Sequence, residues 1–418
     1  MKERVTVAIA GCGSRGQDTY AKLLVKLPEK AKIVAAADID PEKLEGMRKL
    51  VGIPESACFA SAEEMLRKDK LADVMLICTP DRCHYAQAKA ALQKDYDLLL
   101  EKPIAVTAQE CQELRDIALS RQRKAAVCHV LRYTVFYQTL KKLIDSGTIG
   151  EIMNIQAMEQ VCYWHQAHSF VRGNWRNKEE SSCMILQKCC HDMDILLWLT
   201  GKRCRLVSSF GDLSHFKKEN APRGSALRCV DCGIRESCPY DAVKFYLDEF
   251  KSNGDAWPQN VVAFEPSEEK LLAALRSGPY GRCVYHCDNN VVDHQVVNLE
   301  LEGGATVNFT MTAFTAHGGR TLRVGGTMGE LFGDMKQNAI RVMRYGKEDE
   351  VIDVNALSDD FSGHGGGDGR LILEFLDYVR GEKELSGTMT SIDRSVESHL
   401  VAFAAEESRL NRGKPIKI

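Results

Sequence analysis

The sequence of 418 residues lacks any long run of apolar side chains, which argues against a membrane-spanning segment. Its longest apolar stretches, such as Val74–Cys78 and Ile195–Leu199, are far shorter than the roughly 18 residues that a spanning helix requires. An excess of basic residues is also missing, because 55 Lys and Arg stand against 58 Asp and Glu and give a formal net charge of −3. Since nucleic-acid binding draws on many cationic side chains, we expect neither a membrane nor a nucleic acid as a partner.

A recognisable export signal is missing as well. Met1 to Arg4 lead directly into an alternating strand pattern, without an apolar stretch or a small-residue cleavage site. We therefore expect a cytoplasmic protein. Sixteen cysteines are many, but Cys78 and Cys128 fall within predicted core strands, which favours reduced thiols over a disulfide framework. Hydrophobic residues make up 44% and charged residues 27%, a composition typical of globular chains and not of disordered ones.

Residues 1–129 alternate between strand and helix patterns, and this predicts a parallel sheet with helices on both faces. The first strand, Val5–Ala10, leads into a glycine-rich turn, and the second, Ile33–Ala37, ends at Asp38. Three further buried strands are predicted at Val74–Cys78, Leu98–Leu100 and Ala125–His129. The sequence thus predicts an α/β domain over residues 1–129.

Residues 130–418 follow a different pattern, in which long alternating segments predict an open, mostly antiparallel sheet within an α+β domain. These segments are Ile152–Val161, Val291–Leu301, Ala305–Thr312 and Thr321–Val324. Helices are predicted at about 185–199 and 371–379. Residues 213–282, rich in Pro, Cys, Gly and charge, are predicted to form a loop-rich insertion that covers the second domain without folding separately.

The turn after the first strand carries the spacing Gly11-x-Gly13-x-x-Gly16. In a strand-turn-helix context, the three glycines permit a tight turn, a close approach to a pyrophosphate and close helix packing, and the helix N-terminus offers free N–H groups. Asp38 follows the second strand, where a carboxylate accepts hydrogen bonds from ribose hydroxyls and repels a 2′-phosphate. The pattern therefore predicts a Rossmann domain that binds NAD in preference to NADP. Two other turn residues are counted with the cofactor site: Ser14 and Arg15.

Two polar segments follow buried strands at the edge of the sheet where ligands of α/β proteins bind. They are Thr79-Pro80 and Glu101-Lys102-Pro103. Lys102 lies between an apolar strand and a proline, an unusual place for a purely solvated lysine. We therefore regard Lys102 as a candidate for the reaction centre.

Taken together, these motifs resemble the Gfo/Idh/MocA family of oxidoreductases. The segments that carry the resemblance are Gly11–Gly16, Thr79-Pro80 with His84, Glu101-Lys102-Pro103 and His191-x-x-Asp194. The resemblance implies that Lys102 hydrogen-bonds the sugar hydroxyl that is oxidised, and that NAD, a carbohydrate or polyol substrate and a homodimer or homotetramer are involved. It also assigns a group of residues to the cofactor: Thr79, Pro80, His84, Glu101 and Lys102.

The second catalytic segment departs from the usual family pattern Asp-x-Gly-x-His-x-x-Asp. Gln187 replaces the acid and Cys189 the glycine, whereas His191 and Asp194 fit. We predict that His191 is the general base. If residues 188–192 are helical, Lys188 projects to the same face and stabilises negative charge on the substrate oxygen; the alternative is that it only pairs with Asp192.

The segment Tyr163–Arg176 concentrates aromatic, histidine and arginine side chains. Indole rings stack on sugars, and His or Arg side chains donate to hydroxyl groups. The family has its substrate loop here, although a purely structural segment that folds over the sheet has a similar composition. The residues predicted to bind substrate are Trp164, His165, His168, Arg172, Arg176 and, from the following helix, Asp192.

Cys229-x-x-Cys232 and Cys238 have part of the spacing of a zinc site. Cys283, Cys287, His215 or His286 could complete such a site, but the spacing does not define four ligands. We favour reduced, packing thiols and predict no metal site. A second open question concerns His364, which either belongs to a glycine-rich connection or reaches the active site.

Three functions compete. The first is an NAD-dependent dehydrogenase acting on a sugar, inositol or glycoside, and the second is a glycosidase that keeps NAD bound and oxidises a sugar carbon transiently. A sensor of nicotinamide redox state is the third, and the presence of Lys102 and His191 argues against it.

Overall fold

The computed structural model describes residues 4–418. The first domain is built on a six-stranded sheet in which all neighbouring strands are parallel, in the order β3-β2-β1-β4-β5-β6. Its strands are β1 Val5–Ala10, β2 Ala31–Ala37, β3 Cys58–Phe59, β4 Val74–Ile77, β5 Asp97–Leu100 and β6 Ala125–Val127. Its helices are a π-type turn Ser14–Ala21 continued by α1 Lys22–Val25, then α2 Pro41–Val51, α3 Ala62–Arg67, α4 Asp81–Gln93 and α5 Ala108–Ser120.

Side-chain caps begin three of these helices. Asp40 accepts hydrogen bonds from the N–H groups of Glu42 and Lys43, with Pro41 in the first helical position. Ser61 caps α3 and Thr107 caps α5, each through the third N–H of its helix. The local sequence therefore determines where these helices start. Because the strands are parallel, their carboxyl ends lie along one edge of the sheet.

The second domain is built on a nine-stranded sheet in the order β14-β13-β12-β11-β7-β10-β9-β8-β15. All its pairs are antiparallel except β7 with β10. The strands are β7 Ile152–Gln160, β8 Cys204–Asp212, β9 His294–Leu301, β10 Thr306–Thr312, β11 Gly319–Gly326, β12 Gly329–Asp334, β13 Ala339–Arg344, β14 Glu350–Asp353 and β15 Ile416–Lys417. The predicted mostly antiparallel sheet is thus confirmed.

Nine further helices belong to this part of the chain, within the described residues. They are α6 Val135–Asp145, α7 Tyr163–His165, α8 Met184–Gln187, α9 Cys190–Thr200, α10 Ala242–Asn253, α11 Gln259–Val262, α12 Glu268–Ser277, α13 Ser362–Arg380 and α14 Ile392–Leu410. None of the helices formed by residues 4–418 has the length and hydropathy of a membrane span.

Two of these elements differ from the sequence-based expectation. The helix predicted at 185–199 is interrupted at Lys188 and Cys189, between α8 and α9. The 19-residue helix α14 was not predicted. Its first turns pack into the core of the parallel sheet through Ile392 and Val396, and its later residues pack into the core of the second domain. Helix α14 therefore joins the two cores.

The insertion predicted at 213–282 lies between β8 and β9 and contains α10, α11 and α12. It has a small apolar core of its own, which includes Tyr246, Leu275 and Tyr280. It also reaches the first domain, since a Cβ atom added to Gly46 of α2 would lie 3.5 Å from the ring of Phe264. The insertion thus contacts both domains, and not the second one alone.

Candidate active site

The glycine turn has the steric properties that its spacing predicts. Gly11 has a φ of +92°, and a Cβ atom there would lie 2.7 Å from the carbonyl oxygen of Cys78. A Cβ atom at Gly16 would lie 1.9 Å from the carbonyl oxygen of Gly11. At Gly13, in contrast, an added Cβ atom would meet nothing within 4 Å. The backbone at Gly13 and Ser14 is therefore open to a phosphate, as a dinucleotide requires.

Asp38 lies at the carboxyl end of β2 and is half-buried. Its Oδ2 accepts a hydrogen bond of 2.6 Å from the backbone N–H of Cys12, and its Oδ1 one of 2.8 Å from Asp40. Each carboxylate oxygen can accept a further bond, so the residue fits a ribose diol beside the glycine turn.

Arg15 makes internal ion pairs, although the sequence assigned it to the cofactor. Its Nε lies 2.6 Å from Glu101 Oε1, and its Nη2 lies 2.7 Å from Asp368 Oδ1 of α13. Tyr20 also donates to Glu101. Burial raises the pKa of Glu101, but the charges of Arg15 and Lys102 outweigh it and the pKa is lowered. Arg15 and Glu101 thus fix the turn to the end of β5.

His84 is 1% exposed and joins the two loops that follow β4 and β5. Its Nδ1 lies 2.7 Å from the carbonyl oxygen of Pro103, and its Nε2 lies 2.7 Å from that of Thr79. The Thr79 hydroxyl is held by Gln87 at 2.7 Å. His84 therefore holds these two loops together, and both of its ring nitrogens are occupied.

Lys102 follows Glu101 and precedes a cis peptide bond to Pro103. Its ammonium group donates to the backbone carbonyl of Gln187 at 2.7 Å and lies 6.0 Å from the ring centroid of Trp175. Lys102 is half-buried. The lysine thus extends from the first domain to the break between α8 and α9.

His191, in the first turn of α9, is 8% exposed, and its Nδ1 has no hydrogen-bond partner among the described residues. Burial lowers the pKa of His191 well below its usual value, and the positive charge of Lys102 lowers it further. His129 packs edge-on against it, with ring centroids 5.5 Å apart, and is fully buried. His191 is therefore neutral at pH 7, the protonation state of a general base.

Lys188 is not on a continuous helix with Asp192, so the predicted helical spacing is wrong. The alternative pairing with Asp192 is wrong too, because Lys188 Nζ lies 3.4 Å from Glu159 Oε1 on β7. Arg320 of β11 pairs with Glu159 at 2.7 Å and with Asp192 at 2.8 Å. Burial raises the pKa of Asp192, although Arg320 opposes this effect. Asp192, predicted to bind substrate, belongs to this buried network of four charges.

The loop after β7 brings two of the predicted substrate residues into an aromatic cluster with the insertion. Trp164 stacks on His165, with centroids 5.6 Å apart, and Trp257 lies 5.4 Å from Trp164 and 5.0 Å from His165. Burial lowers the pKa of His165, and the charge of Lys188 lowers it further. Trp164, His165 and the insertion residue Trp257 therefore form one face of the candidate site.

The other three residues predicted in this loop have structural partners. His168 is 2% exposed and hydrogen-bonds the Tyr246 hydroxyl at 2.7 Å. Arg172 donates to the carbonyl oxygens of Arg282 and Tyr240 at 2.7 and 2.6 Å. Arg176 pairs with Asp288 at 2.8 Å. His168 and Arg172 thus hold the insertion on the loop, and Arg176 pairs with Asp288, which follows the insertion. All three side chains have protein partners in this structure, and their role in substrate binding stays a prediction.

Sequence reasoning missed several groups that surround His191. Arg132 forms a doubly hydrogen-bonded pair with Asp194, both distances being 2.6 Å. Neither ring nitrogen of His129 has a hydrogen-bond partner in the described part of the chain. The only sequence signal for Arg132 and His129 was that each is a polar residue within an apolar segment. His364, left open above, pairs with Asp368 at 2.9 Å and contributes to lowering the pKa of His191.

Comparisons with known proteins identify the fold. Residues 5–129 match a family profile described as an oxidoreductase family with an NAD-binding Rossmann fold, and residues 141–418 match its C-terminal alpha/beta domain. The chain belongs to the Gfo/Idh/MocA oxidoreductase family. It is an NAD-binding oxidoreductase, so the predictions of family, fold class, enzyme class and cofactor are confirmed.

Similar proteins share this architecture at low identity. A Bacillus subtilis (strain 168) protein named as an oxidoreductase, YteT, is 23% identical over 393 residues, which are 88% of each chain. Inositol 2-dehydrogenase of Burkholderia ambifaria is 28% identical over 199 residues, 47% of this chain and 54% of that protein. An inositol dehydrogenase homologue from Azotobacter vinelandii, solved with NAD+, has a TM-score of 0.70 at 16% identity and covers 100% of this chain and 98% of its own.

Proposed function

We propose that this chain is an NAD-dependent dehydrogenase that acts on a hydroxyl-bearing carbon of a sugar, an inositol or a glycoside. The main support is that Lys102 and His191, from different domains, interact electrostatically at the break between α8 and α9. A neutral histidine beside a lysine cation matches the removal of a proton from a hydroxyl group. The names of the relatives agree with a polyol substrate.

His191 is proposed as the general base. Oxidation of a hydroxyl group requires a proton to leave its oxygen, and an imidazole with a pKa below its usual range is unprotonated at neutral pH and free to accept it. The unpartnered Nδ1 of His191 and the two unpartnered nitrogens of His129 leave room for a polar relay on the buried side.

Lys102 is proposed to donate a hydrogen bond to the same substrate oxygen. Its ammonium group now donates to the carbonyl of Gln187, a neutral partner that substrate can replace. As the proton leaves, charge develops on the oxygen, and a fixed cation stabilises that charge.

The glycine turn and Asp38 are proposed to hold NAD, and the bound nicotinamide would supply the hydride acceptor. The N–H groups at the start of the helix would bind the pyrophosphate, and Asp38 the adenosine ribose. Trp164 and Trp257 would stack on the apolar face of the substrate ring. The predicted cytoplasmic location and homo-oligomer stay predictions.

A substrate screen tests this proposal. Purified protein is incubated with NAD and a panel of inositols, sugars and glycosides, and NADH absorbance and reducing-sugar release are followed in parallel. We expect NADH to accumulate with at least one polyol, and the Lys102→Ala variant to lose this activity. Reducing-sugar release from a glycoside without net NADH would replace the dehydrogenase proposal with the glycosidase, and no turnover with any class would favour the sensor.

A further inference from the structure

A partly open cavity of about 20 Å³ lies between the insertion and the residues next to it, and four cysteine side chains line it. Cys229, Cys232 and Cys238 come from one segment with two short 3₁₀ turns, Cys229–Asp231 and Arg235–Ser237. Cys283 follows α12, and its backbone N–H donates to the carbonyl of Leu227 at 2.9 Å, which brings the two segments together. The structure thus selects Cys283 from the residues that could complete the set.

Hydrogen-bond donors surround these thiols. Arg172 Nη2 lies 3.6 Å from the sulfur of Cys229. The backbone N–H of Tyr240 donates a hydrogen bond to the sulfur of Cys238, and that of Tyr285 donates one to the sulfur of Cys283. Backbone N–H groups and a guanidinium stabilise a thiolate far more than a neutral thiol. The surroundings are therefore those of sulfur ligands.

Packing alone does not account for this arrangement. Thiols that serve as small apolar groups fill the space between them, because an empty volume forfeits dispersion contacts along its whole lining. Here the four side chains line a space large enough for a water molecule. All 16 cysteines are free, so the cavity is not a by-product of disulfide geometry.

We propose that Cys229, Cys232, Cys238 and Cys283 ligate a thiophilic metal centre, either a zinc ion or an iron–sulfur cluster. Among residues 4–418, no three His, Cys, Asp or Glu side chains are grouped so that they could hold one ion as they stand. A zinc ion would draw the sulfurs inward to about 2.3 Å from itself, whereas a cluster fills the space between its ligands with its own atoms.

The centre has a structural role. It links the segment Cys229–Cys238 to Cys283, which lies in the stretch between α12 and β9. Through Arg172, which contacts Cys229 and the carbonyls of Tyr240 and Arg282, it also holds the loop that carries His165. Metal binding would therefore stabilise the contact between the insertion and this loop.

Metal analysis of the full-length protein tests the proposal. The chain is produced with both iron and zinc supplied and purified without oxygen, and zinc, iron and acid-labile sulfide are measured per chain. We expect either about one zinc without sulfide, or about four iron with about four sulfide and a visible charge-transfer band. Cys229→Ser and Cys283→Ser should lose most of the metal.

Cys287→Ser is the matched control, because Cys287 donates to the carbonyl of Cys283 but does not line the cavity. It should keep the metal. Wild-type protein that contains neither metal in stoichiometric amount would overturn the proposal, even if the cysteine variants fail to fold. Equal metal loss in Cys287→Ser and Cys283→Ser would overturn it as well.

Discussion

The glycine turn Gly11–Gly16 and the loop Tyr163–Arg176 present polar groups to ligands in two different ways. The turn uses backbone N–H groups, and its shape follows from contacts within a few residues and with the neighbouring strand β4. The loop is proposed to use side chains, and three of its five candidate residues are occupied by partners in the insertion or by Asp288, which follows it. A backbone site is thus determined locally, whereas a side-chain site depends on which distant segments fold against it.

The largest effect is expected on stability, in the buried ion-pair network of Arg320, which is held together by side chains and not by backbone groups. Arg320→Met would leave Glu159 and Asp192 buried without their guanidinium, which costs about 3–5 kcal/mol in the free energy of unfolding. Arg323→Met is the control, because this arginine lies on the same strand but is half-exposed and pairs with Glu330. Denaturant unfolding measures both variants. Equal losses of stability would show that the network contributes no more than a surface pair.

The second prediction separates catalysis, for which residues of both domains are proposed, from NAD binding by the first domain. Lys102→Ala and His191→Ala should each lower kcat/KM by about a hundredfold or more, because each removes a group that acts on the reacting oxygen. NAD affinity, measured by titration, should change little because the glycine turn is untouched. Lys89→Ala, on the outer face of the first domain and paired with Glu113, serves as the control. Activity within tenfold of wild type would remove either residue from the mechanism.

The third prediction uses three histidines that are buried in the fold. Burial lowers the pKa of His129 to about 4 and of His168 and His399 to about 3, from 6.5. Because the unfolded chain then binds protons that the folded chain does not, the free energy of unfolding should fall as the pH drops from 6.5 towards 4. Each histidine contributes up to about 1.4 kcal/mol per pH unit.

Unfolding of His129→Asn across this pH range is the corresponding measurement. Its stability should depend less steeply on pH than that of the wild type, by the share of one histidine. The choice of His129 avoids the loss of a hydrogen bond, since neither of its ring nitrogens has a hydrogen-bond partner among residues 4–418. An unchanged pH dependence would show that folding does not lower the pKa of His129.

The fourth prediction concerns the polar side chain beside the glycine turn. Asp38→Ser should narrow the preference for NAD over NADP by about tenfold, because a 2′-phosphate no longer meets a carboxylate. The ratio of the two dissociation constants is measured, since the lost hydrogen bond to Cys12 weakens both. Asp116→Ser, exposed on α5, should leave the ratio unchanged. Wild-type protein that binds both cofactors equally would contradict the assignment of Asp38.

The same contrast explains how much could be predicted from the sequence. The parallel domain, its capped helices and the residues of the glycine turn follow from local patterns. The motif that ends β5 predicted that Lys102 lies at the ligand-binding edge of the sheet, and its catalytic role stays a prediction. The Arg320–Glu159–Asp192 network could not be found in this way, because its members come from β11, β7 and α9. Arg172 and His168 were assigned to substrate for the same reason, since their partners lie in an insertion that had no periodic signal.

The smallest effect on activity is expected at Lys188. Its predicted catalytic role depended on a helix that the structure interrupts, and its ammonium group pairs with Glu159 on β7. Lys188→Met should therefore lower kcat/KM by no more than about threefold, because Arg320 still neutralises Glu159. Lys188→Arg, which preserves the pair, should match the wild type. A loss in Lys188→Met as large as that in Lys102→Ala, measured with saturating NAD, would instead place the Lys188 charge on the substrate oxygen.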